Sequence, residues 1–356
     1  MPEDATDAAG VQATAGPDPQ PPPPDGFSHR FLALIGNRQP RRRASWFERY
    51  AGVGLLVILV LVFSIALPHT FPTYSNLVGI VSNQAITAVV ALGLLMPLAA
   101  GAFDISIGGV MTLAVVMSTW LFQTTAGGMP IWASILLTLA ASAAAGALNG
   151  FLVVKVKVDP FIATIGSSSV FLGISEAIAN GTTIASNIPS GFTQISRATI
   201  GRMPITVIYV LVLAGVIWYL LEATPLGRRV YATGANREAA RLAGVRTNRI
   251  IFWMFIASAL VAALAGVLYA ANSGSGPPNV GSAYLLPAYS SAFLGATMIR
   301  PGRFNVPGLL VAVLLVAVGI NGLQLIGISF WVVDLFQGLA LIVAVSLSRL
   351  RQNAAT

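Results

Sequence analysis

Ten apolar stretches, each close to the length needed to cross a lipid bilayer, recur along this chain and limit what it can fold into. They lie at roughly 50–67, 77–100, 105–122, 131–154, 160–180, 204–221, 250–271, 283–299, 306–325 and 330–347. A hydrocarbon core about 30 Å thick takes some 20 apolar residues per helix. Inside it every backbone N–H and C=O must find a partner within the protein, which leaves helices or closed barrels. Runs of this length predict an all-α, polytopic transmembrane bundle of about ten helices. Composition agrees: 56% of the 356 residues are hydrophobic and 9% charged, against about 25% charged in soluble domains. Runs of small residues such as Ala140-Ala141-Ser142-Ala143-Ala144-Ala145-Gly146 suit helix packing in lipid, where close backbone approach takes over from apolar burial.

The charges test this reading. With the N-terminus in the cytoplasm and the spans alternating, eighteen of the twenty Lys and Arg residues fall on the cytoplasmic side. Only Arg197 and Arg202 are left outside. That asymmetry is what the positive-inside rule demands, and it places both termini in the cytoplasm of a multi-pass inner-membrane protein. It also explains the formal net charge of +8 without nucleic acid as a partner. Residues 1–49 read as a separate cytoplasmic tail ahead of a transmembrane domain at 50–350. The first 29 hold five acidic residues, no Lys or Arg, and the run Pro21 to Pro24, a composition that favours disorder. A basic juxtamembrane patch follows.

One connection is long. Within residues 223–249, on the cytoplasmic side, the signals of a short helix appear: Asn236 as N-cap, Glu238 in the first turn and Gly244 at the position after the C-cap. A helix of about seven residues is too short to persist alone in water. A partner's groove would hold it, while its arginines would also meet anionic membrane lipid.

Glu238-Ala239-Ala240-Arg241-Leu242-Ala243-Gly244 resembles the cytoplasmic loop of permease subunits of bacterial ABC importers. The absence of Ile-x-Leu-Pro after Gly244 directs the resemblance to the ribose, xylose and arabinose type. Gly101-Ala102-Phe103-Asp104-Ile105-Ser106-Ile107-Gly108, Asn149-Gly150, Pro160-Phe161-Ile162-Ala163-Thr164-Ile165-Gly166, Ala232-Thr233-Gly234-Ala235-Asn236 and Gly302-Arg303 are similar to that family's segments, in the same order. Ala102-Phe103 and Met298-Ile299-Arg300-Pro301 depart from it. The resemblance implies an ATP-driven importer of a monosaccharide, a pentose by type, or else of a non-sugar solute such as an autoinducer, nucleoside or polyol. It implies coupling to a separate ATPase subunit through Asn236, Glu238, Ala239, Ala240, Arg241 and Gly244. It also implies an external sugar-binding protein and a second permease, identical or paralogous. An ion-gradient transporter, the other alternative, would want partnered charges within spans that are nearly free of them.

Ionisable residues at membrane depth are functional candidates by default. Asp104, with Ser106 two residues on, either caps the third helix or takes part in gating. Gln84, Asn149, Thr164, Asn321 and Gln324 are polar positions within spans. They either bond between helices or line the solute's path. Arg197 and Arg202 are candidates to meet a docked external protein. The chain lacks cysteine and a phosphate-cradling G-x-x-x-x-G-K-[ST] motif, and its two histidines, His29 and His69, lie far apart. No metal site or catalytic constellation is expected, and ATP belongs to a partner.

Overall fold

A computed structural model describes residues 46–124, 128–329, 331–332, 335, 337–339, 342 and 346. Most of the expected tail and most of the tenth span lie outside the described residues; Trp46–Arg49, expected in the tail, already belong to the first helix. The other nine expected spans are helical. The first is α1 (Trp46–Ala66). The second divides at Gln84 into α2 (Tyr74–Asn83) and α3 (Ala85–Ala99). There follow α4 (Ser106–Trp120), α5 (Ile131–Phe151), α6 (Pro160–Ala179), a short α7 (Ser190–Arg197), a small hairpin of β1 (Thr199–Ile200) and β2 (Met203–Pro204), and α8 (Ile205–Trp218). The long connection folds as α9 (Pro225–Ala235) and α10 (Arg237–Leu242). It leads to α11 (Thr247–Ser273), α12 (Ser282–Gly295) and α13 (Val306–Leu325).

Seven described helices are long and apolar enough to cross a membrane. Two others, α4 with 15 residues and α12 with 14, rise only about 22 Å at 1.5 Å per residue. Each is therefore shorter than the hydrocarbon core and meets irregular backbone at one end. The expected span 283–299 stops early, at Gly295, and Ile299, four residues on, holds φ +56°.

The bundle is centred on α3, every residue of which is buried. Helices α11, α12, α8 and α13 surround it. Close approach is made at glycines: a Cβ on Gly146 of α5 would lie 2.7 Å from the Phe255 carbonyl of α11, and one on Gly266 of α11 would lie 2.6 Å from the Met111 carbonyl of α4. Small residues at helix contacts are how lipid-embedded helices gain packing contact. The outer surface is apolar, as a lipid solvent requires. Ile65 is 80% exposed and Trp132 68%, and α1 and α5 leave most of their length uncovered.

Two spans end in a π-helical turn, Leu152–Val156 after α5 and Tyr219–Ala223 after α8. Widened turns of this kind cluster at functional sites. Both lie at the end of the bundle that carries α9 and α10.

Candidate functional site

The connection 223–249 folds around its caps. Thr224 caps α9, accepting from the Gly227 amide. Asn236 Oδ1 accepts from the Ala239 amide at 2.9 Å and starts α10. At the far end the Val245 amide reaches back to the Ala240 carbonyl at 3.0 Å and Gly244 adopts φ +84°. This six-to-one closure with a left-handed residue is the usual way an α-helix stops, and glycine takes that conformation without Cβ strain. Both expected cap positions are therefore seen as caps. On the outward face Glu238 and Arg241 pair, each about two-thirds exposed. The Arg241 guanidinium beside Glu238 holds its carboxyl below the ordinary range. Leu242 is 78% exposed, a large apolar side chain presented on a six-residue helix.

Behind this helix, α9 meets the end of α3. A Cβ on Gly234 would fall under 3.0 Å from the Ala99 carbonyl oxygen, and one on Gly101 would stand 3.1 Å from the Gly234 Cα. Gly101 holds φ +80°. Two glycines, 133 positions apart in the sequence, thus form one backbone-to-backbone contact between the long connection and the segment leading to Asp104.

Asp104 is 2% exposed. Its Oδ1 accepts from the Ser106 hydroxyl, and its Oδ2 accepts from Ser258 Oγ of α11 at 2.7 Å. The N-cap of α4 is Ile105, which makes no side-chain cap bond, so Asp104 is tied to the start of that helix through the Ser106 hydroxyl rather than as its cap. Asn149 of α5 donates to Ser106 Oγ at 2.7 Å. The Ile105 amide donates to Thr164 Oγ1 of α6 at 3.1 Å. Asp104 and Ser106, Asn149, and Thr164, from three separate sequence segments, therefore form one buried polar cluster with Ser258 from a fourth. The Asn149 Oδ1 has no protein partner. Phe103 stacks on Tyr289 of α12 at 6.4 Å between centroids, so the cluster also borders the shorter helix.

The other expected pathway residues are elsewhere. Asn321 exchanges two 3.0 Å hydrogen bonds with Asn76 of α2, at the opposite end of the bundle. Gln324 is exposed and Gln84 occupies the turn between α2 and α3. Arg197 donates to the Asn272 carbonyl at 2.7 Å, and Arg202 lies over the Tyr74 ring at 5.9 Å. Both arginines thus have partners within the chain.

A second polar feature was not expected from the sequence. Glu222, in the π-turn after α8 and 7% exposed in its side chain, pairs with Arg300 and lies 3.7 Å from Arg303. Arg303 sits 3.4 Å over the Tyr231 ring of α9, and Tyr231 donates to the Phe304 carbonyl at 2.8 Å. Burial, together with the Glu222 carboxylate, pushes the Tyr231 phenol up to about 12. The group ties α8, α9 and the turn between α12 and α13 into one latch. The available signal was an acidic residue just ahead of the long connection and two arginines just beyond a span.

Among the described residues no cluster of His, Cys, Asp and Glu is arranged to hold a metal ion. The arrangement is suited to moving rather than to reacting: a capped surface helix, a glycine contact and a buried polar cluster in series. Comparison with known proteins agrees. Residues 76–345 match the family described as branched-chain amino acid transport system / permease component. The ribose import permease protein of Bacillus subtilis is 31% identical over 295 residues, 83% of this chain and 90% of that protein. The D-allose transport system permease protein of Escherichia coli K12 is 28% identical over 325 residues, 91% of this chain and 99% of that protein. The autoinducer 2 import system permease protein of Salmonella paratyphi A is 29% identical over 311 residues, 86% and 92%. No solved structure matches. With three-quarters of its length matched and its helices long enough to span a bilayer, the chain belongs to this family of permease components: a membrane-embedded transport subunit and not an enzyme.

Proposed function

We propose that the chain is the membrane-spanning permease of an ATP-driven ABC importer for a monosaccharide, with a pentose as the first class to test. The ribose and D-allose permeases among its relatives support the sugar. The observation that carries the coupling is the capped helix α10, exposed outward and joined inward through Gly234 and Gly101 to the Asp104 cluster. In this reading Asn236, Glu238, Ala239, Arg241 and Gly244 dock on a separate ATPase subunit in the cytoplasm, where both termini also lie; Ala240, expected among them, is 6% exposed and instead packs α10 against its own chain. ATP-driven closure of that partner moves α10, and α9 hands the movement to the start of α4. Two permeases, identical or paralogous, enclose the path, and an external binding protein delivers the solute.

Asp104, Ser106, Asn149 and Thr164 act in this scheme as a gate support rather than a sugar-binding site, because their hydrogen bonds are mostly used on one another. The Asn149 Oδ1 is the acceptor left for a moving group. Gln84 and Gln324 remain the path candidates without a described side-chain partner, whereas Asn321 is committed to Asn76.

The test is reconstitution with an ATPase subunit and binding protein from the same organism, followed by uptake of labelled ribose, allose and autoinducer 2. ATP-dependent uptake of one of the sugars is the expected result. Uptake of autoinducer 2 alone would establish the non-sugar reading that the 29% identical relative supports. In the same assay Gly244→Arg is expected to abolish uptake while the permease still inserts. The Gly244 conformation (φ +84°) disfavours any Cβ by about 1–2 kcal/mol, on a helix with little stability of its own. Normal uptake at normal expression would remove α10 from the coupling role.

A further inference from the structure

Beside α9 and α10 an open cavity of about 860 Å³ runs between α8, α9 and α11. One end is basic, formed by Arg229 of α9, Arg246 at the N-cap of α11 and Arg249 in its first turn. The other end is apolar, with Ile217, Trp253 and Ala257 among its lining residues. No side-chain hydrogen bond or ion pair engages any of the three guanidinium groups among the described residues. We propose that this groove binds one anionic phospholipid of the cytoplasmic leaflet, its phosphate on the three arginines and an acyl chain between α8 and α11.

Depth decides between a lipid and a protein occupant. From Arg249 to Ala257 the groove follows eight residues of α11, about 12 Å at 1.5 Å per residue. The arginines stand where α11 begins, and Ala257 stands within a 27-residue apolar span. A partner folded in water covers the arginines and stops at the membrane surface. A lipid places its charge at the same level and its chain in the apolar part, without leaving the bilayer. Trp253, 51% exposed midway along the groove, has the ring type that favours this boundary. Basic pockets between membrane helices on the cytoplasmic side are recurrent sites for anionic headgroups. The groove also touches Ala243 and Gly244, so its occupant braces the end of α10.

The inference rests on the proposed orientation, which can be read separately. The chain has no cysteine, so Arg228→Cys, on the exposed side of α9 away from the groove, gives a single thiol. A membrane-impermeant maleimide should label it in inside-out vesicles and not in intact cells; the reverse pattern would refute the orientation.

For the site itself, purified permease in neutral detergent is titrated with phosphatidylglycerol or phosphatidylcholine, and bound lipid is counted by native mass spectrometry. The wild type should prefer phosphatidylglycerol. Each basic residue near an anionic surface is worth about fivefold. The triple variant Arg229→Gln/Arg246→Gln/Arg249→Gln should therefore lose tenfold or more and bind the two lipids alike. Arg228→Gln, which removes the same charge outside the groove, should change little. Ala257→Phe, which fills the deep end, should weaken both lipids. Where the triple variant does not insert, Arg249→Gln alone carries the test with a loss of about fivefold. Unchanged phosphatidylglycerol binding by the variants would overturn the proposal. So would a triple variant that keeps its lipid and instead loses the co-purifying ATPase subunit.

Discussion

Replacing Gly234 with alanine separates two effects of opposite sign. Gly234 lies in the last turn of α9, where exchange of glycine for alanine should by propensity alone favour the helix by up to about 1 kcal/mol. The contact with α3 opposes this. The new methyl would fall under 3.0 Å from the Ala99 carbonyl oxygen, and the Ala100 carbonyl carbon stands at 3.1 Å. Neither is the end of a flexible side chain. The backbones must part, and overpacking of this kind costs about 1–3 kcal/mol. The net expectation is a weakening of the α9–α3 contact by up to about 2 kcal/mol, a shift of up to about thirtyfold at 1.4 kcal/mol per tenfold. In proteoliposomes with the ATPase partner, solute uptake per ATP hydrolysed should fall while ATPase activity persists. Gly101→Ala, strained by φ +80° and facing the same glycine, should act on the same contact. The double variant should then be less impaired than the two single losses added, as residues sharing one contact are. Wild-type uptake per ATP in Gly234→Ala, with a raised melting temperature, would show that propensity wins and that the glycine contact transmits nothing.

Asp104→Ala leaves the Ser106 and Ser258 hydroxyls without their shared acceptor, a loss of about 1–3 kcal/mol per stranded group. Asp104→Asn should cost less because it retains one acceptor oxygen. Thermal unfolding in detergent orders the two, and equal melting temperatures would contradict the cluster. Arg300→Gln should lower the melting temperature and Glu222→Gln in the same chain should partly restore it, since losing the half-exposed arginine leaves the buried Glu222 carboxylate without its close partner; an additive double variant would dissolve the latch. For Tyr231 the folded-state pKa lies above the ordinary 10.0. Its contribution to stability is full below pH 10 and declines as pH rises towards about 12. The ultraviolet difference titration of wild type against Tyr231→Phe should show a midpoint near that value, and a midpoint of 10 would place the ring in water.

The placement of the nine described spans was legible because bilayer length and apolar composition are properties of contiguous sequence. The break at Gln84 was not, because the residues on either side continue the same apolar run. The caps of α10 were readable for the same local reason: Asn236 and Gly244 each act within four residues. The cluster at Asp104 was legible only in parts. Asp104, Ser106, Asn149 and Thr164 stand out as polar positions near apolar runs, but Asp104 meets Ser258 across 154 positions, and no periodicity encodes that pairing. Ser258, set among alanines in α11, reads as packing. Glu222 was overlooked because its significance comes from Arg300, 78 positions later. Two glycines that looked like separate motif residues, Gly101 and Gly234, are one contact in space.

The complete burial of α3 carries a consequence for biosynthesis. Its covering helix α11 begins nearly 150 positions after α3 ends, which at 5–20 residues per second is roughly 8–30 seconds of translation. Through that interval α3 has no α11 or α12 to lie against and must tolerate the acyl chains of the bilayer. Its sequence allows this, since Thr87 is its only polar side chain and a threonine hydroxyl can satisfy itself on the preceding turn. The apolar character of α3 thus serves two solvents in succession, lipid during synthesis and protein afterwards. A polar substitution that the finished bundle could pair would still meet its first cost while the ribosome is working.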